Sequence, residues 1–443
     1  MSLVLLLLLG LAVTSEAAAS LCSVNEDGTR CECNIDVIRN PQRFLCFQAS
    51  EVELKDGKLD ESGITFNRNF SFAFIQINKL IFNNLTISFP LMNKLLPFMS
   101  LSQVRSISLI SSTIEDVQPL LYPALHVRSK IRDFQLNKLT VDPSLLQPSF
   151  QVLHRWLFGS LESLSLVDSG LAEIECYWAG MLGNLTHLDL SGNPLTWTSL
   201  QSISQCSSLS FKHLTSFRLS GSNLTSLQPL CTLLSLTPAL AELDVSRNNF
   251  SIFHYPHCLQ EVTTLRVLNL SHSGITEVNS LFSTSLEELD LSYNSLEVFN
   301  NTLQALKKLD LSNNRLKRLP SLAGLSQLLE LRVDNNQLTI LIHETGNSLS
   351  SLEQLDILHA GRNPYQCDCD LKETVTFLNT YTVYVEDWPK EFGCATPVTQ
   401  HGTPVMNLPL EMCVNSPNGT PHHSSPLCLM VFIGVLSRLI SFR

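Results

Sequence analysis

Charged residues are scarce in this chain of 443 residues: they make up 16 % of it, against roughly 25 % in an average soluble domain. Basic residues are the scarcer sign, because 29 Lys and Arg stand against 40 Asp and Glu, for a formal net charge of −11. A nucleic-acid backbone has to be met by a basic face, so this balance argues against nucleic acid as the main partner. The chain also lacks a nucleophile elbow, a phosphate-binding loop and an H-E-x-x-H helix. We therefore expect no enzymatic activity, no cofactor and no metal.

The C-terminal apolar run is too short for an ordinary membrane span. It covers residues 427–436, about half of the ~20 residues that a spanning helix needs. Small residues and a polar spacer precede it, which is the order typical of a GPI-attachment signal. We expect a GPI anchor at Asn418, with Asn415 as the alternative site and residues 415–443 as the signal whose tail is removed. A purely secreted form and a membrane-spanning helix are the alternative interpretations of this C-terminal segment.

Cysteine is not scarce, and its abundance points to an oxidising compartment. The chain has 13 cysteines, more than a protein of a reducing compartment usually carries. The N-terminus agrees, because residues 3–13 are apolar and a run of three alanines follows them, so residues 1–19 are predicted to be a secretory signal peptide. A buried N-terminal helix is the alternative. We expect an extracellular protein held at the cell surface.

One pattern recurs between the two ends: L-x-x-L-x-L-x-x-N-x-L, in which Ile, Val or Phe can replace Leu. Alternating leucines lie on one face of a short strand, and parallel stacking of successive strands buries them in a continuous core. About twelve copies at this spacing predict an α/β leucine-rich-repeat solenoid, a curved horseshoe with a parallel concave sheet and an irregular convex side. The copies begin at Ile77, Val104, Ile131, Leu161, Leu185, Leu214, Leu240, Leu265, Leu286, Leu306, Leu328 and Leu355.

The ninth position of the pattern is an asparagine in six of the copies. A buried asparagine can satisfy backbone groups where the chain turns away from the strand, so we expect these side chains to be structural. They are Asn193, Asn248, Asn294, Asn314, Asn336 and Asn363.

Cysteines cluster at both ends of the array, where a repeat stack needs a cap. We expect an N-terminal cap and first strand at residues 20–54, repeats at 55–362, and a C-terminal cap at 363–414. The clusters are Cys22, Cys31, Cys33 and Cys46 before the array, and Cys367, Cys369, Cys394 and Cys413 after it. Zinc is the competing interpretation of each cluster, but its sites favour wider spacing than C-x-C, so we predict disulfides. Within each cap three pairings are open.

Four further cysteines fall inside the array, and one lies in the tail. Sequential pairing would join Cys176 to Cys206 and Cys231 to Cys258, tying each convex loop to its neighbour. Cys428 belongs to the segment that the anchor reaction would discard, which leaves an even number of cysteines.

Glycosylation sequons are frequent along the repeats. They are Asn69, Asn84, Asn184, Asn223, Asn249, Asn269 and Asn300, besides the one at Asn418. Asn269 differs from the others because it occupies the fifth position of its repeat, pointing out from the concave strand. A glycan there would obstruct the middle of the concave sheet and direct a ligand to another surface.

Phenylalanine is concentrated near the N-terminal end of the array. An apolar pocket shaped for acyl chains is one interpretation, and aromatics that merely fill the core under the cap are the other. The pocket candidates are Phe66, Phe70, Phe72, Phe74, Ile77, Phe82, Phe89, Leu91, Leu95 and Phe98. The candidate cations at its rim, which would meet phosphates, are Lys55, Lys58, Arg68, Lys79 and Lys94.

The cysteine spacing of residues 22–33, the segment 46–54 and the internal cysteines together resemble the GPI-anchored lipopolysaccharide co-receptors of the monocyte differentiation antigen family. The likeness continues through residues 154–157 and 161–166 to about residue 300. It implies the pairs Cys22–Cys33, Cys31–Cys46, Cys176–Cys206 and Cys231–Cys258. It also implies a GPI anchor, a solenoid able to form a homodimer, and an N-terminal pocket whose lipid A or lipopeptide ligands are delivered to a Toll-like receptor complex.

The C-terminal cap departs from that family. Residues 363–369, 387–389 and 394–397 resemble the cap of Toll-like receptor ectodomains, which implies the pairs Cys367–Cys394 and Cys369–Cys413. The leading functional hypothesis is an innate-immune pattern-recognition co-receptor that binds lipopolysaccharide and other acylated microbial products. The alternative is an adhesion or signalling receptor that binds a protein ligand on its concave or lateral surface.

Overall fold

A 17-stranded sheet organises the described part of this chain, and a second sheet of two strands lies in the C-terminal cap. The computed structural model describes residues 22–35, 46, 49–59, 76–92, 102–115, 129–140, 160–174, 182–196, 198, 211–228, 231, 236–251, 256–260, 262–278, 282–320, 322, 324–342, 354–380 and 383–408. The predicted signal peptide and GPI-attachment segment lie outside these residues. None of the helices in these ranges is both long and apolar enough to span a membrane.

The strands follow one another in chain order. They are β1 (Cys22–Val24), β2 (Arg30–Asn34), β3 (Glu51–Leu59), β4 (Lys79–Ser88), β5 (Ser106–Ile110), β6 (Thr113–Glu115), β7 (Asp133–Asn137), β8 (Ser163–Val167), β9 (His187–Asp189), β10 (Ser216–Arg218), β11 (Glu242–Asp244), β12 (Val267–Asn269), β13 (Glu288–Asp290), β14 (Lys308–Asp310), β15 (Glu330–Arg332), β16 (Ile357–His359), β17 (Tyr365–Gln366), β18 (Tyr384–Val385) and β19 (Cys394–Thr396). Two α-helices lie wholly within the described residues, α1 (His257–Gln260) and α2 (Lys372–Thr380).

Among the described strands, parallel pairing runs through the array from β2 to β16 and on to β18, whereas β1 pairs antiparallel with β2. A strand begins two residues after each predicted repeat start, as Lys79 follows Ile77 and Glu288 follows Leu286. The predicted parallel-sheet leucine-rich-repeat solenoid is therefore confirmed. The first strands are longer than a three-residue repeat strand, because β3 runs to Leu59 and β4 to Ser88.

Leucines at fixed repeat positions build the core. In the repeat that starts at Leu286, the side chains of Leu286, Leu289, Leu291 and Leu296 are at most 2 % exposed. Burying each of them contributes about 1.5–3 kcal/mol, most of it through contacts with the repeats on either side. Stability therefore comes from the stack and not from any single repeat.

The six predicted asparagines are buried, and each bonds to the backbone of its own repeat and of the preceding one. Asn294 is typical. Its Oδ1 accepts hydrogen bonds from the amides of Ser273 (3.0 Å) and Ile275 (3.0 Å). Its Nδ2 donates to the carbonyls of Leu270 (3.0 Å) and Leu291 (2.9 Å). The side chain thus supplies the partners that the backbone lacks where it leaves the strand.

The residue just before each of the six asparagines, at the eighth position of the repeat, has a left-handed backbone. Tyr293 and Asn313 hold φ values of 54° and 55°, and Gly192 holds 70°. A Cβ at Gly192 would lie 1.9 Å from Oδ1 of Asp168, so this repeat requires glycine there. We call the row of side chains at this position, among them His272, Tyr293 and Asn313, the eighth-position flank.

The N-terminal cap closes the core with two disulfides. Cys31 and Cys33 lie two residues apart on β2, so both point inward, and Cys22 is directly opposite Cys33. Cys22 is bonded to Cys33 and Cys31 to Cys46, with the four Sγ atoms within 4.8 Å of one another. The sulfurs of this cluster are thus paired with each other in the arrangement that the family resemblance implies.

Aromatic rings and a carboxylate hold the C-terminal cap. Tyr365 stacks on Phe392 with ring centroids 5.3 Å apart, and Trp388 meets Phe392 edge-on at 5.1 Å. Asp387 accepts hydrogen bonds from the backbone amides of Gly361 and Ala360, and burial raises its pKa. These contacts fasten the cap to the turn that follows β16.

Two more disulfides close loops in the second half of the chain. Cys367 is bonded to Cys394, and Cys231 is bonded to Cys258. Cys369 is also disulfide-bonded, whereas Cys413 lies outside the described residues. Cys176 and Cys206 also lie outside the described residues, so their pairing stays a prediction.

Candidate functional site

The predicted apolar pocket falls partly within the described residues. Ile77, Phe82, Phe89 and Leu91 are 0–4 % exposed and belong to the same core cluster as the cap cysteines. Their side chains are enclosed by the core beneath β3 to β5. The remaining candidates lie outside the described residues: Phe66, Phe70, Phe72, Phe74, Leu95 and Phe98, together with the rim cations Arg68 and Lys94.

The three described rim cations are already paired with carboxylates. The pairs are Lys55 with Glu32 (Nζ to Oε2, 2.9 Å), Lys58 with Glu115 (Nζ to Oε2, 2.7 Å) and Lys79 with Glu51 (Nζ to Oε2, 3.2 Å). The hydrogen bond to Glu32 raises the pKa of Lys55. Each pair is partly exposed and worth at most about 1 kcal/mol, so an anion could displace the carboxylate, but it would have to compete for the cation.

A buried carboxylate lies at the centre of this group of ions. Glu53 is 5 % exposed although it points out from the sheet between the inward-facing Val52 and Leu54. It accepts hydrogen bonds from Nη2 of Arg30 and from Nδ2 of Asn83 (2.8 Å). Burial alone would raise the pKa of Glu53, but the hydrogen bonds from Asn83 and Arg30 outweigh it and lower the pKa.

Arg30 links this carboxylate to the surrounding pairs. Its guanidinium also lies 3.4 Å from Glu51 and 3.3 Å from Glu32. Three cations thus face three carboxylates across β2, β3 and β4, and the outer surface of these strands is close to neutral. The repeat pattern alone does not reveal this network. Its signal is the strand register, which makes Arg30, Glu51 and Lys79 neighbours on adjacent strands.

On several of the later strands, an aspartate and a serine alternate with buried leucines. The aspartate side chains point away from the leucine core. In each D-x-S unit the aspartate Oδ1 accepts the backbone amide of the serine two residues on. The pairs are Asp189 with Ser191 (3.0 Å), Asp244 with Ser246 (3.0 Å), Asp290 with Ser292 (2.9 Å) and Asp310 with Ser312 (2.9 Å). Burial raises the pKa of Asp310, and the neighbouring charge of Asp290 adds to it. We call this row of side chains the aspartate ladder.

Asn269 occupies one rung of the aspartate ladder. The strand register places it between Asp244 and Asp290. Its Oδ1 accepts hydrogen bonds from the amide (3.0 Å) and the hydroxyl (2.8 Å) of Ser271. The structure therefore places this sequon on the concave strand, as the repeat pattern predicts.

Of the other sequons, Asn84 lies within β4, and the rest lie outside the strands or outside the described residues. Exposed asparagines occupy the described sequons at Asn84, Asn184, Asn223, Asn249 and Asn300. Asn69 and Asn418 lie outside the described residues. At Asn84, the Nδ2 atom that would carry a glycan donates a hydrogen bond to Asp56 (2.8 Å).

An exposed aromatic pair lies on the eighth-position flank. His272 and Tyr293 belong to adjacent repeats, and their rings stack with centroids 4.1 Å apart at an interplanar angle of 10°. Tyr293 is 52 % exposed. This pair was not among the predicted site residues, although both residues fall at the eighth position of successive repeats.

Comparisons with known proteins agree with this architecture. The Leucine Rich Repeat family matches at residues 184–206, 285–306 and 305–325. Toll-like receptor 2 type-1 of Gallus gallus is 25 % identical over 420 residues, which are 91 % of this chain and 50 % of that protein. Toll-like receptor 2 of Bos taurus is 27 % identical over 371 residues, 83 % of this chain and 46 % of that protein.

The chain spans about half the length of the curated relatives it matches. Among solved structures, the octameric complex of Latrophilin 3, Unc5D and FLRT2 contains a similar chain. The similarity covers 76 % of this chain and 91 % of that one, with 22 % sequence identity and a TM-score of 0.48. The repeats, the parallel sheet and the matched sequences together show that the chain is a leucine-rich-repeat protein related to Toll-like receptors.

Proposed function

We propose that this protein is a non-enzymatic pattern-recognition co-receptor of innate immunity. It binds lipopolysaccharide and other acylated microbial products near its N-terminal end and delivers them to a Toll-like receptor complex. The sequence relation to Toll-like receptor 2 carries this proposal. The concentration of phenylalanine in the first repeats and the family resemblance of the N-terminal cap support it.

The described side chains restrict where such a ligand would bind. Ile77, Phe82, Phe89 and Leu91 are enclosed by the core, so the proposed pocket needs other apolar side chains. These are Phe66, Phe70, Phe72, Phe74, Leu95 and Phe98. Phosphates of the ligand would be met by Arg68 and Lys94, or by displacement of the carboxylates from Lys55, Lys58 and Lys79.

Titration of lipid A into the purified, secreted chain tests the proposal. The variants Phe72→Asp and Phe74→Asp place a charge among the proposed acyl-chain contacts, and we expect each to weaken binding strongly. Val398→Asp is the matched control, because Val398 is 90 % exposed in the C-terminal cap and far along the chain from the first repeats. It makes a similar apolar-to-charged change without entering the proposed pocket.

Two results would contradict the proposal, and they differ in meaning. Binding that is equally strong in Phe72→Asp, Phe74→Asp and the control places the ligand elsewhere on the molecule. The absence of lipid A binding to a folded, secreted chain rejects the ligand class. Circular dichroism of each variant distinguishes loss of a contact from loss of the fold.

A protein-binding adhesion or signalling receptor is the second candidate, and one observation favours it. Where the first repeats are described, the predicted pocket residues are core residues and the predicted cations are paired. A receptor of this class would use its concave or lateral surface, including the His272–Tyr293 pair. If the folded, secreted chain binds no lipid A but binds a protein partner, and Tyr293→Ala abolishes that binding, this candidate gains over the first.

The proposed location is the outer cell surface, through a GPI anchor at Asn418, with a soluble secreted form besides. Phosphatidylinositol-specific phospholipase C should release the protein from intact cells. Retention after treatment would contradict the anchor. Ultracentrifugation of the released chain tests whether it forms the homodimer that the family resemblance implies.

A further inference from the structure

We propose that Asn269 carries an N-linked oligosaccharide that covers the middle of the concave face, so that partners bind outside the surface of β11 to β13. The inference starts from the aspartate ladder, whose D-x-S units become an N-glycosylation sequon when the aspartate is replaced by asparagine. Within β9 to β16, Asn269 is the residue at which this replacement has occurred. The sequon therefore lies at a position that the fold itself directs toward the concave side.

The hydrogen bonds of Asn269 leave its amide nitrogen available to carry a sugar in the folded protein. Oδ1 is turned toward the backbone, where it accepts the amide and the hydroxyl of Ser271 (3.0 and 2.8 Å). Nδ2 must then point the other way, and no described residue accepts a hydrogen bond from it. Leu268 and Leu270 on either side are fully buried, so strand alternation sends Nδ2 out over the sheet.

A glycan on this nitrogen leaves the fold intact. In the neighbouring rungs only the acceptor oxygen of Asp244 or Asp290 bonds to the backbone, and the second oxygen is the counterpart of Nδ2. The contrast is Asn84, where Nδ2 itself is held by Asp56. Modification of Asn269 thus costs no described hydrogen bond, whereas modification of Asn84 disturbs one.

The covalent step uses the lipid diphosphate-linked oligosaccharide of the secretory pathway. Nδ2 of Asn269 attacks the anomeric carbon of the first sugar, forming the C–N bond. The bond from that carbon to the diphosphate oxygen breaks, the lipid diphosphate leaves with the bonding electrons, and Nδ2 gives up one proton to a base of the transferase. The step requires entry of the chain into the secretory pathway, which the proposed function also requires.

The position of the sugar decides which surface is covered. Neighbouring strands of a sheet are about 4.8 Å apart, so even the first sugar residues on Nδ2 extend over the adjacent strands. Those strands carry Glu242 and Asp244 on one side and Glu288 and Asp290 on the other. Chemical labelling of these four carboxylates therefore reports whether a sugar covers the adjacent strands.

Glycopeptide mass spectrometry of the full chain secreted by mammalian cells tests occupancy. Enzymatic deglycosylation in heavy-oxygen water marks each occupied asparagine as a labelled aspartate, and we expect that label at Asn269. Label at Asn223 and Asn249 with an unmodified Asn269 would overturn this inference alone. A chain with every sequon unmodified would overturn it together with the extracellular placement.

Carboxylate footprinting tests the coverage. Asn269→Asp removes the sugar and preserves the bond to Ser271, as Asp244 and Asp290 do in their own repeats. We expect carbodiimide labelling of the four flanking carboxylates to rise in this variant. Asn249→Asp is the matched control, since it removes an exposed sequon asparagine outside the strands and should leave that labelling unchanged.

A transplanted sequon completes the test. In the Asn269→Asp background, Asp290→Asn recreates N-L-S one strand further along the ladder. We expect this site to be glycosylated and the labelling of Asp244 to stay high. Unchanged labelling in Asn269→Asp, despite proven loss of the sugar, would overturn the coverage.

Discussion

The asparagine row of the core offers the sharpest test of what holds the repeats together. Asn336 is 7 % exposed. Its Oδ1 accepts the amide of Leu316 (3.0 Å), and its Nδ2 donates to the carbonyls of Leu311 (2.9 Å) and Val333 (3.1 Å). Asn336→Ala removes these three bonds, together with a longer one from Nδ2 to the carbonyl of Asp334 (3.2 Å), and leaves the buried amide of Leu316 without its partner.

The magnitude follows from these contacts. Three hydrogen bonds at about 1 kcal/mol net, with a further penalty of about 1–3 kcal/mol for the orphaned donor, give a loss of about 4–6 kcal/mol. That is a large part of the stability of a typical domain, about 5–15 kcal/mol. Because a repeat array can open locally, the loss should concentrate in the repeats beside Asn336.

Urea unfolding followed by circular dichroism measures the total change, and hydrogen exchange at the Leu316 amide measures the local one. Gln337→Ala is the matched control, because Gln337 is the next residue, also an amide, and exposed. It should change the free energy of unfolding by less than about 0.5 kcal/mol. Equal effects of the two variants, or unchanged exchange at Leu316 in Asn336→Ala, would refute the reasoning.

Two further predictions concern the disulfides and the buried carboxylate. The Cys231–Cys258 and Cys367–Cys394 bonds each close a loop of sequence separation 27, so Cys→Ser replacement of either pair should lower the free energy of unfolding by about 3.5 kcal/mol. Urea unfolding of the two double variants checks this, and a difference well above 1 kcal/mol between them would contradict a loop-entropy origin. Glu53→Gln should lower stability at neutral pH by about 1–3 kcal/mol, since it loses charged hydrogen bonds. Because the native pKa of Glu53 is lowered, its contribution is present above the unfolded value of about 4.3 and is lost as pH falls through the native value, so the variant should show a shallower acid loss of stability.

The positions of the strands could be predicted from the sequence because the signal is local. Within one repeat, the spacing of Leu286, Leu289 and Leu291 identifies the inward face, and Asn294 marks where the chain leaves the strand. Neither inference depends on what lies in another repeat. The starts of the strands therefore follow the pattern even in the looser copies near the N-terminus.

The ion pairs on the first strands could not be predicted in the same way. Arg30 and Glu53 are 23 residues apart, and Asn83 lies 30 residues beyond Glu53. Their contact depends on the register between strands, which the repeat spacing determines only after the cap strand β2 has been recognised. The predicted cations were therefore assigned to a ligand before their carboxylate partners were known.

Aromatic content could not distinguish a filled core from a hollow one. Phe82 and Phe89 satisfy the apolar pattern expected of a pocket lining, and the same pattern is required of residues enclosed by strands. The difference depends on how β4 continues to Ser88 and turns, carrying Phe89 and Leu91 into the interior. Only the three-dimensional arrangement holds that information.

The aspartate ladder shows why a repeat protein can alter its ligand-accessible surface at little cost to stability. At this position Asp290 and Asn269 each supply one acceptor oxygen to the backbone amide of the serine two residues on. Everything else about the side chain is free to change, because it points away from the leucine core. A single exchange between aspartate and asparagine therefore decides whether a strand presents a carboxylate to a partner or a site for a sugar. The ligand specificity of this face is consequently determined by single residues, while the buried leucines and asparagines maintain the fold of the solenoid.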